Sequence, residues 1–563
     1  MVFSSMRFIC VFLPVTLVLY WLIPFILPRS VGEKMCPAAR NALLFAASLL
    51  FYACGEGIYV LLLITCALAN YMAGRILHTG DKDTASAAAS GENFTRDPVQ
   101  SERSREIPAR RTLKARLVLT AAVVADLGIL GFYKYAGMLV STLNALSGLA
   151  LPVPAPILPI GISFYTFQAM SYVIDVYRGK TSAERSFFRF LLYISFFPQL
   201  IAGPIVRYRD IAGQIRSRSA DASRVASGLK RFSYGLAAKV LIANSAALAA
   251  DRVFAMGASS LSLPLAWLGA AAYTIQIFFD FSGYSSMAIG LGRMFGFDIR
   301  ENFRQPYSAS SMQEFWRRWH ISLTDWFREY LYIPLGGNRK GAFRTKLNRF
   351  AVFFCTGLWH GASWNFVLWG LFHGALTSAE VSVTSSAKNR PEPGAASSSK
   401  ENRPAQGAGG PGGSAASPKK ALWRRLAGHL YVLVSVILGF VLFRADTLAG
   451  ALRMYRAMFV PAAMTAERSI ALGRAVNPMV ISALVAGAVL AVLPEFRSGR
   501  ADQAGAAAGT GSRLGDSRPA AGFIGLWGRA AEPAGFCVSL LLLILSMLSL
   551  AGGAYNPFIY FRF

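Results

Sequence analysis

Long apolar runs dominate this chain and restrict it to folds that can exist in lipid. Nine of them approach or exceed the length that crosses a hydrocarbon core of about 30 Å. They cover residues 8–27, 58–77, 116–133, 157–175, 233–253, 264–284, 430–444, 476–494 and 534–553, of which 430–444 is the shortest. Helices satisfy their own backbone groups in lipid, and runs of this length suit helices. The pattern therefore predicts an all-α, polytopic integral membrane protein with roughly ten or more transmembrane helices.

Shorter apolar runs are expected to form hairpins or re-entrant pieces. They cover residues 41–53, 187–203, 350–360 and 364–380. Within "FFPQLIAGPI", Pro198, Gly203 and Pro204 interrupt any helix, so this stretch is either a re-entrant element or a kinked span. The first long run has only Arg7 before it and no small-x-small cleavage site, which favours an uncleaved span over a signal peptide.

The charge balance is strongly basic, with 57 Lys and Arg against 29 Asp and Glu and a formal net charge of +28. These basic residues lie between the apolar runs and form no compact basic domain, so we expect positive-inside topology and no nucleic-acid partner. Tracing the chain places the N-terminus outside and the basic loops in the cytoplasm. Of six cysteines, only Cys36 lies in a polar loop, and no C-x-x-C pair occurs, so no disulfide framework or zinc site is expected.

An amphipathic helix is predicted over residues 311–331, "SMQEFWRRWHISLTDWFREYL". At 100° per residue, one side carries Trp316, Trp319, Leu323, Trp326, Phe327 and Tyr330, and the other carries the charged residues. Such a helix is expected to lie in the membrane interface. His320 falls within the apolar stripe, facing away from the charged side.

The chain has five histidines, and two of them stand in unfavourable surroundings. His78 and His429 lie at span ends, where a polar ring is tolerated, and His373 suits packing or hydrogen bonding. His360 is flanked by Gly357 and Gly361, which either leave room for a substrate or serve close helix packing. We expect Ser363 and Asn365 to orient its ring by hydrogen bonds.

A desolvated imidazole stays neutral, because burial disfavours the charged form. Neutral histidine can accept a proton from a hydroxyl as a general base, which suits acyl transfer to an alcohol, and it could equally relay protons in a transporter. Asp175 and Asp280 are carboxylates near span ends, and Asp280 either partners an imidazole or caps the following turn. The chain contains no Walker A sequence, G-x-S-x-G elbow or H-E-x-x-H motif.

The glycine turn "PLGGNRKG", residues 334–341, offers a weak phosphate-binding signal. Its backbone N–H groups, with Arg339 or Lys340, could hold a phosphate. A glycine turn followed by positive-inside charges would have the same sequence, so both interpretations stay open.

Five segments together resemble the membrane-bound O-acyltransferase family, in its alginate O-acetyltransferase branch. They are "LPIGISFYTFQAMSYVIDVYRG" (158–179), "FFPQLIAGPIVRY" (196–208), "FFDFSGYSSMAIGLGRMFGF" (278–297), "NFRQPYSASSMQEFWRRWHISLTDWFREYLYIPLGG" (302–337) and "GLWHGASWNFVLWGLFHG" (357–374). The last two are the most specific. The likeness is ordered along most of the chain and includes the terminal "YNPFIYFRF". Ser363 stands where asparagine is frequent in the family.

This resemblance implies a multi-helix fold around a central funnel or tunnel, in a bacterial inner membrane. It implies transfer of an acyl group, acetyl in this branch, from a cytoplasmic thioester such as acetyl-CoA, with no bound cofactor and no metal. His360 matches the histidine regarded as catalytic, and His320 matches the second histidine that supports it. The other candidate residues are Asp280, Trp316, Trp359, Ser363 and Asn365 for substrate, and Arg339 and Lys340 for the donor.

The implied partners are an extracytoplasmic acetyltransferase-like or esterase-like protein and a polysaccharide acceptor. We expect N-terminal helices over 1–78, a flexible cytoplasmic insert over 79–115 and a catalytic core over 116–380. A flexible linker over 381–420 and C-terminal helices over 421–563, with a flexible loop over 497–520, complete the division. The alternatives are D-alanyl transfer to teichoic acid from a carrier protein, and a proton-coupled transporter or export channel. A transporter predicts matching repeats with broken helices, which the sequence does not display.

Overall fold

A computed structural model describes residues 2–27, 29–88, 112–388, 418–492, 524–553 and 555–557. Within these residues the secondary structure is entirely helical, with no β-strand. This confirms the predicted all-α class. The predicted flexible loop 497–520 and most of the predicted flexible segments 79–115 and 381–420 lie outside the described residues.

The first half of the described chain contains eleven helices, numbered here in chain order. They are α1 (Leu13–Ile26), α2 (Arg29–Glu56), α3 (Tyr59–Ala88), α4 (Leu113–Ser147), α5 (Ile162–Tyr177), α6 (Phe187–Ser195), α7 (Phe197–Leu200), α8 (Tyr208–Arg216), α9 (Ala222–Ala237), α10 (Asn244–Phe254) and α11 (Leu263–Met294). A π-helical turn, Phe8–Phe12, precedes α1, and another, Ala238–Ala243, joins α9 to α10.

Nine further helices follow in the described residues. They are α12 (Met312–Arg318), α13 (Ile321–Phe327), α14 (Gly341–His360), α15 (Trp364–Lys388), α16 (Pro418–Arg444), α17 (Leu448–Phe459), α18 (Ala466–Ala475), α19 (Pro478–Val492) and α20 (Ile524–Ala551). A 3-10 turn, Pro306–Ser308, precedes α12, and a π-helical turn, Arg328–Tyr332, follows α13.

Seven helical stretches of the described chain are long and apolar enough to cross a membrane. They are Phe8–Ile26, Met35–Glu56, Tyr59–His78, Leu113–Ser147, Ala222–Phe254, Leu422–Arg444 and Pro533–Ala551. The pair α18 and α19, bent by 65°, gives an eighth if it forms one broken span. The polytopic architecture is confirmed, although this count is lower than the roughly ten expected from apolar runs.

The structures of several short apolar runs differ from the hairpins or re-entrant pieces predicted for them. The short run 41–53 is part of the span Met35–Glu56, so it is no hairpin. Residues 187–203 form α6, a break at Phe196 and the single turn α7, all largely buried. The runs 350–360 and 364–380 lie in α14 and α15, which pack against each other as a helical hairpin.

The amphipathic segment 311–331 is not one continuous helix, contrary to prediction. It breaks at Trp319 and His320, where His320 has a φ of 43°, in the left-handed region. The predicted sorting of its faces is nevertheless confirmed, since the aromatic residues of the stripe are buried. His320 is fully buried, as its place in the stripe predicts.

Candidate active site

His360 is the last residue of α14, at a tight turn into α15. A Cβ atom added to Gly357 would lie 2.3 Å from the backbone oxygen of Phe366, and one added to Gly361 would lie 2.2 Å from the Phe366 ring. Both glycines therefore allow α15 to approach α14 closely. Of the two interpretations of these glycines, the structure supports close helix packing.

Aromatic rings surround the His360 imidazole. The ring centroids of Trp359, Trp369 and Phe443 lie 5.0, 5.1 and 5.2 Å from its own. The side chain is 4% exposed, and neither ring nitrogen has a hydrogen-bond partner in the described part of the chain. Packing against these rings, with no hydrogen bond to the imidazole, therefore orients His360.

The expectation that Ser363 and Asn365 orient this ring by hydrogen bonds is wrong. The Ser363 hydroxyl accepts a hydrogen bond from the backbone N–H of Asn365 at 3.3 Å. The Asn365 side-chain amide donates to the backbone oxygen of Ala445 at 2.7 Å. Both side chains thus fix the turn after α14 and its contact with the end of α16.

Two cavities meet at this turn. The first, of about 180 Å³, is lined by His360, Trp359, Lys134 and Ile201 together with residues 158–164. The second, of about 420 Å³, is more polar and is lined by Gly361, Ala362, Ser363 and Phe366, by Asp251, Tyr273 and Gln276, and by residues 443–446, among others. Lys134 and Leu158 line both cavities, so they form the wall between them.

His320 lies beside His360, and its imidazole is held by Asn302. The Oδ1 atom of Asn302 accepts hydrogen bonds from the backbone N–H and the hydroxyl of Ser322, at 3.2 and 2.9 Å, and lies 3.2 Å from Nδ1 of His320. Because the Ser322 backbone N–H can only donate, Oδ1 must be the acceptor, and Nδ1 of His320 must carry the proton. Nε2 is left with a free lone pair and has no partner among the described residues.

The two histidines and Trp359 form one continuous group of rings. The His320 and His360 centroids are 6.3 Å apart, and the Trp359 centroid is 5.8 Å from that of His320. The structure therefore brings together the two histidines that the sequence singled out. Trp316 lies in the adjacent layer, where its ring packs on Trp369 and His373 at 5.7 and 5.2 Å.

Asp280 lies in the middle of α11, so its assignment to a span end, and with it the helix-cap interpretation, is wrong. Its carboxylate forms an ion pair of 3.0 Å with Lys239, and both side chains are buried. A buried carboxylate with a buried cation is satisfied inside the protein, and here the pair joins α11 to the π-helical turn after α9.

Arg339 and Lys340 are exposed at the opposite end of α14 from His360. The twenty residues of α14 give it a length of about 30 Å. These two cations are therefore remote from the imidazole, and they line neither of the two cavities.

A charged cluster fixes the segment that carries His320. Arg207 and Arg209 both pair with Glu329, and Arg209 also contacts Asp175 at 3.1 Å. The Tyr330 hydroxyl donates to Asp175 at 2.8 Å. Burial raises the pKa of Glu329, but hydrogen bonds and positive charges from the two arginines outweigh burial, so its net pKa is lowered.

Sequence reasoning missed Lys134 and Asn302. Lys134 lies within the span Leu113–Ser147 and is 9% exposed, and a lysine inside an apolar helix was the available signal. Asn302 gave no signal, because its role depends on a contact between segments.

Among the described residues, no group of three or more His, Cys, Asp or Glu side chains could hold a metal ion.

Comparison with known proteins places this site in a family. The sequence profile of the membrane-bound O-acyltransferase family matches residues 181–388, which include both histidines. The probable alginate O-acetylase AlgI of Pseudomonas putida is 38% identical over 568 residues, spanning 100% of both chains. The chain therefore belongs to the membrane-bound O-acyltransferase family, is a multi-pass membrane protein and acts as an O-acyltransferase.

Two further relatives have the same type of name. The probable alginate O-acetylase AlgI of Azotobacter vinelandii is 40% identical over 82% of this chain and 78% of its own. The peptidoglycan O-acetyltransferase of Helicobacter pylori is 34% identical over 67% of this chain and 70% of its own.

Proposed function

We propose that this protein transfers an acetyl group from acetyl-CoA in the cytoplasm to a hydroxyl group outside the membrane, with His360 as the general base. The observation that carries the proposal is the position of His360, which lines a cavity while both its ring nitrogens lack a partner in the described chain. The names of the relatives support a polysaccharide as acceptor, reached directly or through an extracytoplasmic partner protein.

The proposed reaction moves one proton and exchanges one bond. The acceptor hydroxyl gives its proton to His360 while its oxygen attacks the thioester carbon. The resulting tetrahedral intermediate collapses with cleavage of the carbon–sulfur bond, and the imidazolium returns the proton to the departing thiolate. Trp359, Trp369 and Phe443 hold the imidazole in place, and His320 supports it from the neighbouring ring.

The size of the first cavity supports a short acyl group. A dry cavity of about 150 Å³ accommodates benzene. The cavity of about 180 Å³ beside His360 is therefore large enough for an acetyl thioester. The names of the three relatives described above agree, since each refers to O-acetyl transfer.

The charge pattern supports entry of the donor from the cytoplasmic side of a bacterial inner membrane. Arg339 and Lys340 are exposed at the end of α14 that the positive-inside rule assigns to the cytoplasm, about 30 Å from His360. Their proposed role is to attract the phosphates of CoA as it approaches, and not to contact the reacting thioester. The larger, polar cavity beyond His360 is the proposed entry for the acceptor. We retain 116–380 as the catalytic core, with helices on both sides of it in sequence completing the walls, since Phe443 packs on His360.

The test uses purified protein in nanodiscs with radiolabelled acetyl-CoA, and compares wild type with His360→Ala. His373→Ala is the matched control, because His373 is also buried, packs on Trp369 and has no partner for either ring nitrogen in the described residues, yet it lines neither cavity. We expect thioester consumption and label transfer to candidate glycans to be lost in His360→Ala and retained in His373→Ala.

Other outcomes separate the alternatives. Full activity of a normally inserted His360→Ala variant would remove His360 from the reaction. Consumption of palmitoyl-CoA or of an aminoacylated carrier, with acetyl-CoA untouched, would change the donor, and the carrier result would favour D-alanyl transfer. Proton flux without consumption of any thioester would favour the transporter.

A further inference from the structure

The end of α14 leaves four backbone oxygens without partners inside the helix, as every helix end does. The first, that of Gly357, accepts from the backbone N–H of Gly361 at 3.3 Å. Helix α4 supplies donors for the other three. The Tyr135 hydroxyl donates to the oxygen of Leu358 at 2.7 Å, and the Lys134 ammonium donates to those of Trp359 and His360 at 2.5 and 3.4 Å.

Lys134 forms these bonds from an unusual position. Helix α4 is mostly exposed on the outside of the protein, yet the Lys134 side chain is buried and forms no ion pair with an acidic side chain of the described chain. A buried ammonium without a carboxylate is costly. Its charge is instead met by the two backbone oxygens, at the helix end where the macrodipole favours a cation.

The third hydrogen bond of Lys134 reaches the opposite wall of the first cavity. Its ammonium donates to the Ser163 hydroxyl, in the first turn of α5, at 3.3 Å. One side chain therefore joins α4, the His360 end of α14 and the cavity wall formed by residues 158–164. Because the same ammonium is bonded to both walls, the separation of His360 from the wall at residues 158–164 depends on Lys134.

We propose that Lys134 is a positioning residue, which fixes the backbone of His360 against the cavity where the acyl group is transferred. This inference rests on the proposed role of His360. Tyr135 provides a matched comparison, since it donates to the same helix end but carries no charge, bonds Leu358 and does not line the first cavity.

The experiment measures kcat and KM for acetyl-CoA in nanodiscs for wild type, Lys134→Met, Lys134→Gln and Tyr135→Phe, together with the unfolding midpoint of each. Misplacing a reacting group by about 1 Å can cost about 100-fold in rate. We expect kcat of Lys134→Met to fall by about 30-fold to 100-fold, with KM changed less than about threefold, because Met fills nearly the same space as Lys in the cavity wall and the other lining residues are unchanged.

Tyr135→Phe is expected to keep kcat within about threefold of wild type even where its unfolding midpoint falls, since it loses one neutral hydrogen bond. Lys134→Gln keeps a neutral amide group with two N–H donors but a shorter reach, and it should lose about tenfold in kcat. It also serves as the test if Lys134→Met does not insert.

If Lys134 only stabilises the end of the helix, the Lys134 variants and Tyr135→Phe would all have lower unfolding midpoints. The folded protein of each variant would then have the same kcat as wild type. Either that result or wild-type kcat in Lys134→Gln overturns the inference. Absence of acetyl-CoA consumption by wild type would instead overturn the proposed function and, with it, this inference.

Discussion

The close packing of α14 on α15 predicts that Gly357→Ala reduces activity more than its small size suggests. The added Cβ would lie 2.3 Å from the backbone oxygen of Phe366. Ordinary contact between such atoms requires a separation more than about 1 Å longer, so the hairpin must open by about that distance. Backbone atoms of two packed helices cannot yield as a flexible side chain would.

The consequences of this opening can be estimated for both stability and rate. Overpacking of a core typically costs about 1–3 kcal/mol of folding free energy. Gly357 lies one helical turn before His360, so the imidazole is displaced with it. A displacement of about 1 Å can lower kcat by about 100-fold, which corresponds to about 2.7 kcal/mol of transition-state stabilisation.

The assay compares acetyl-CoA consumption and unfolding midpoint for Gly357→Ala and for Gly131→Ala. A Cβ on Gly131, in α4, would meet nothing within 4 Å, so this control adds the same methyl group without a clash. We expect it to keep the wild-type kcat and to keep or slightly raise the unfolding midpoint, because Ala favours a helix interior over Gly. Wild-type kcat and unfolding midpoint in Gly357→Ala would refute the argument that the hairpin has no room for a methyl group.

Two further predictions concern the polar contacts around the site. Asn302→Ala should lower kcat about 10-fold to 100-fold without abolishing insertion, because the tautomer and orientation of His320 are no longer fixed. Steady-state kinetics in nanodiscs would measure this loss. An unchanged kcat would show that Asn302 only supports the fold. Lys239→Met should destabilise the protein by about 3–5 kcal/mol by leaving Asp280 buried without its cation, whereas adding Asp280→Leu should recover much of that loss. Equal unfolding midpoints for the single and double variants would contradict the ion-pair account.

Periodicity predicted the faces of the segment 311–331 but not its break. The aromatic stripe is buried as expected, because burial of large apolar side chains depends on spacing that the sequence shows directly. No glycine or proline in the sequence marks the helix break at His320. It is stabilised by the backbone N–H of Ile321, which donates to the oxygen of Asn302 at 2.9 Å, and by the Asn302 side chain. A contact between separate segments leaves no local pattern.

Contacts between separate segments also explain why the sequence misassigned several polar residues. Asp280 lies close to the end of the apolar run 264–284, which suggested a span end, but α11 continues to Met294 and neighbouring helices bury it. Ser363 and Asn365 lie close to His360 in sequence, yet their hydrogen bonds go to the turn and to Ala445. The burial of His320 and His360 was predictable, since both histidines lie within apolar stretches of the sequence.

These contacts converge on the backbone around His360, and its ring nitrogens have no hydrogen-bond partner among the described residues. Ser363 and Asn365 are bonded to backbone groups, and Lys134 is bonded to backbone oxygens and Ser163. A buried polar atom without a partner costs about 1–3 kcal/mol, and these nearby polar side chains do not offset that cost. The protein instead uses them to fix the backbone around His360. That arrangement costs stability but leaves an oriented, unbonded imidazole facing a cavity, which is what a general base for a substrate hydroxyl requires.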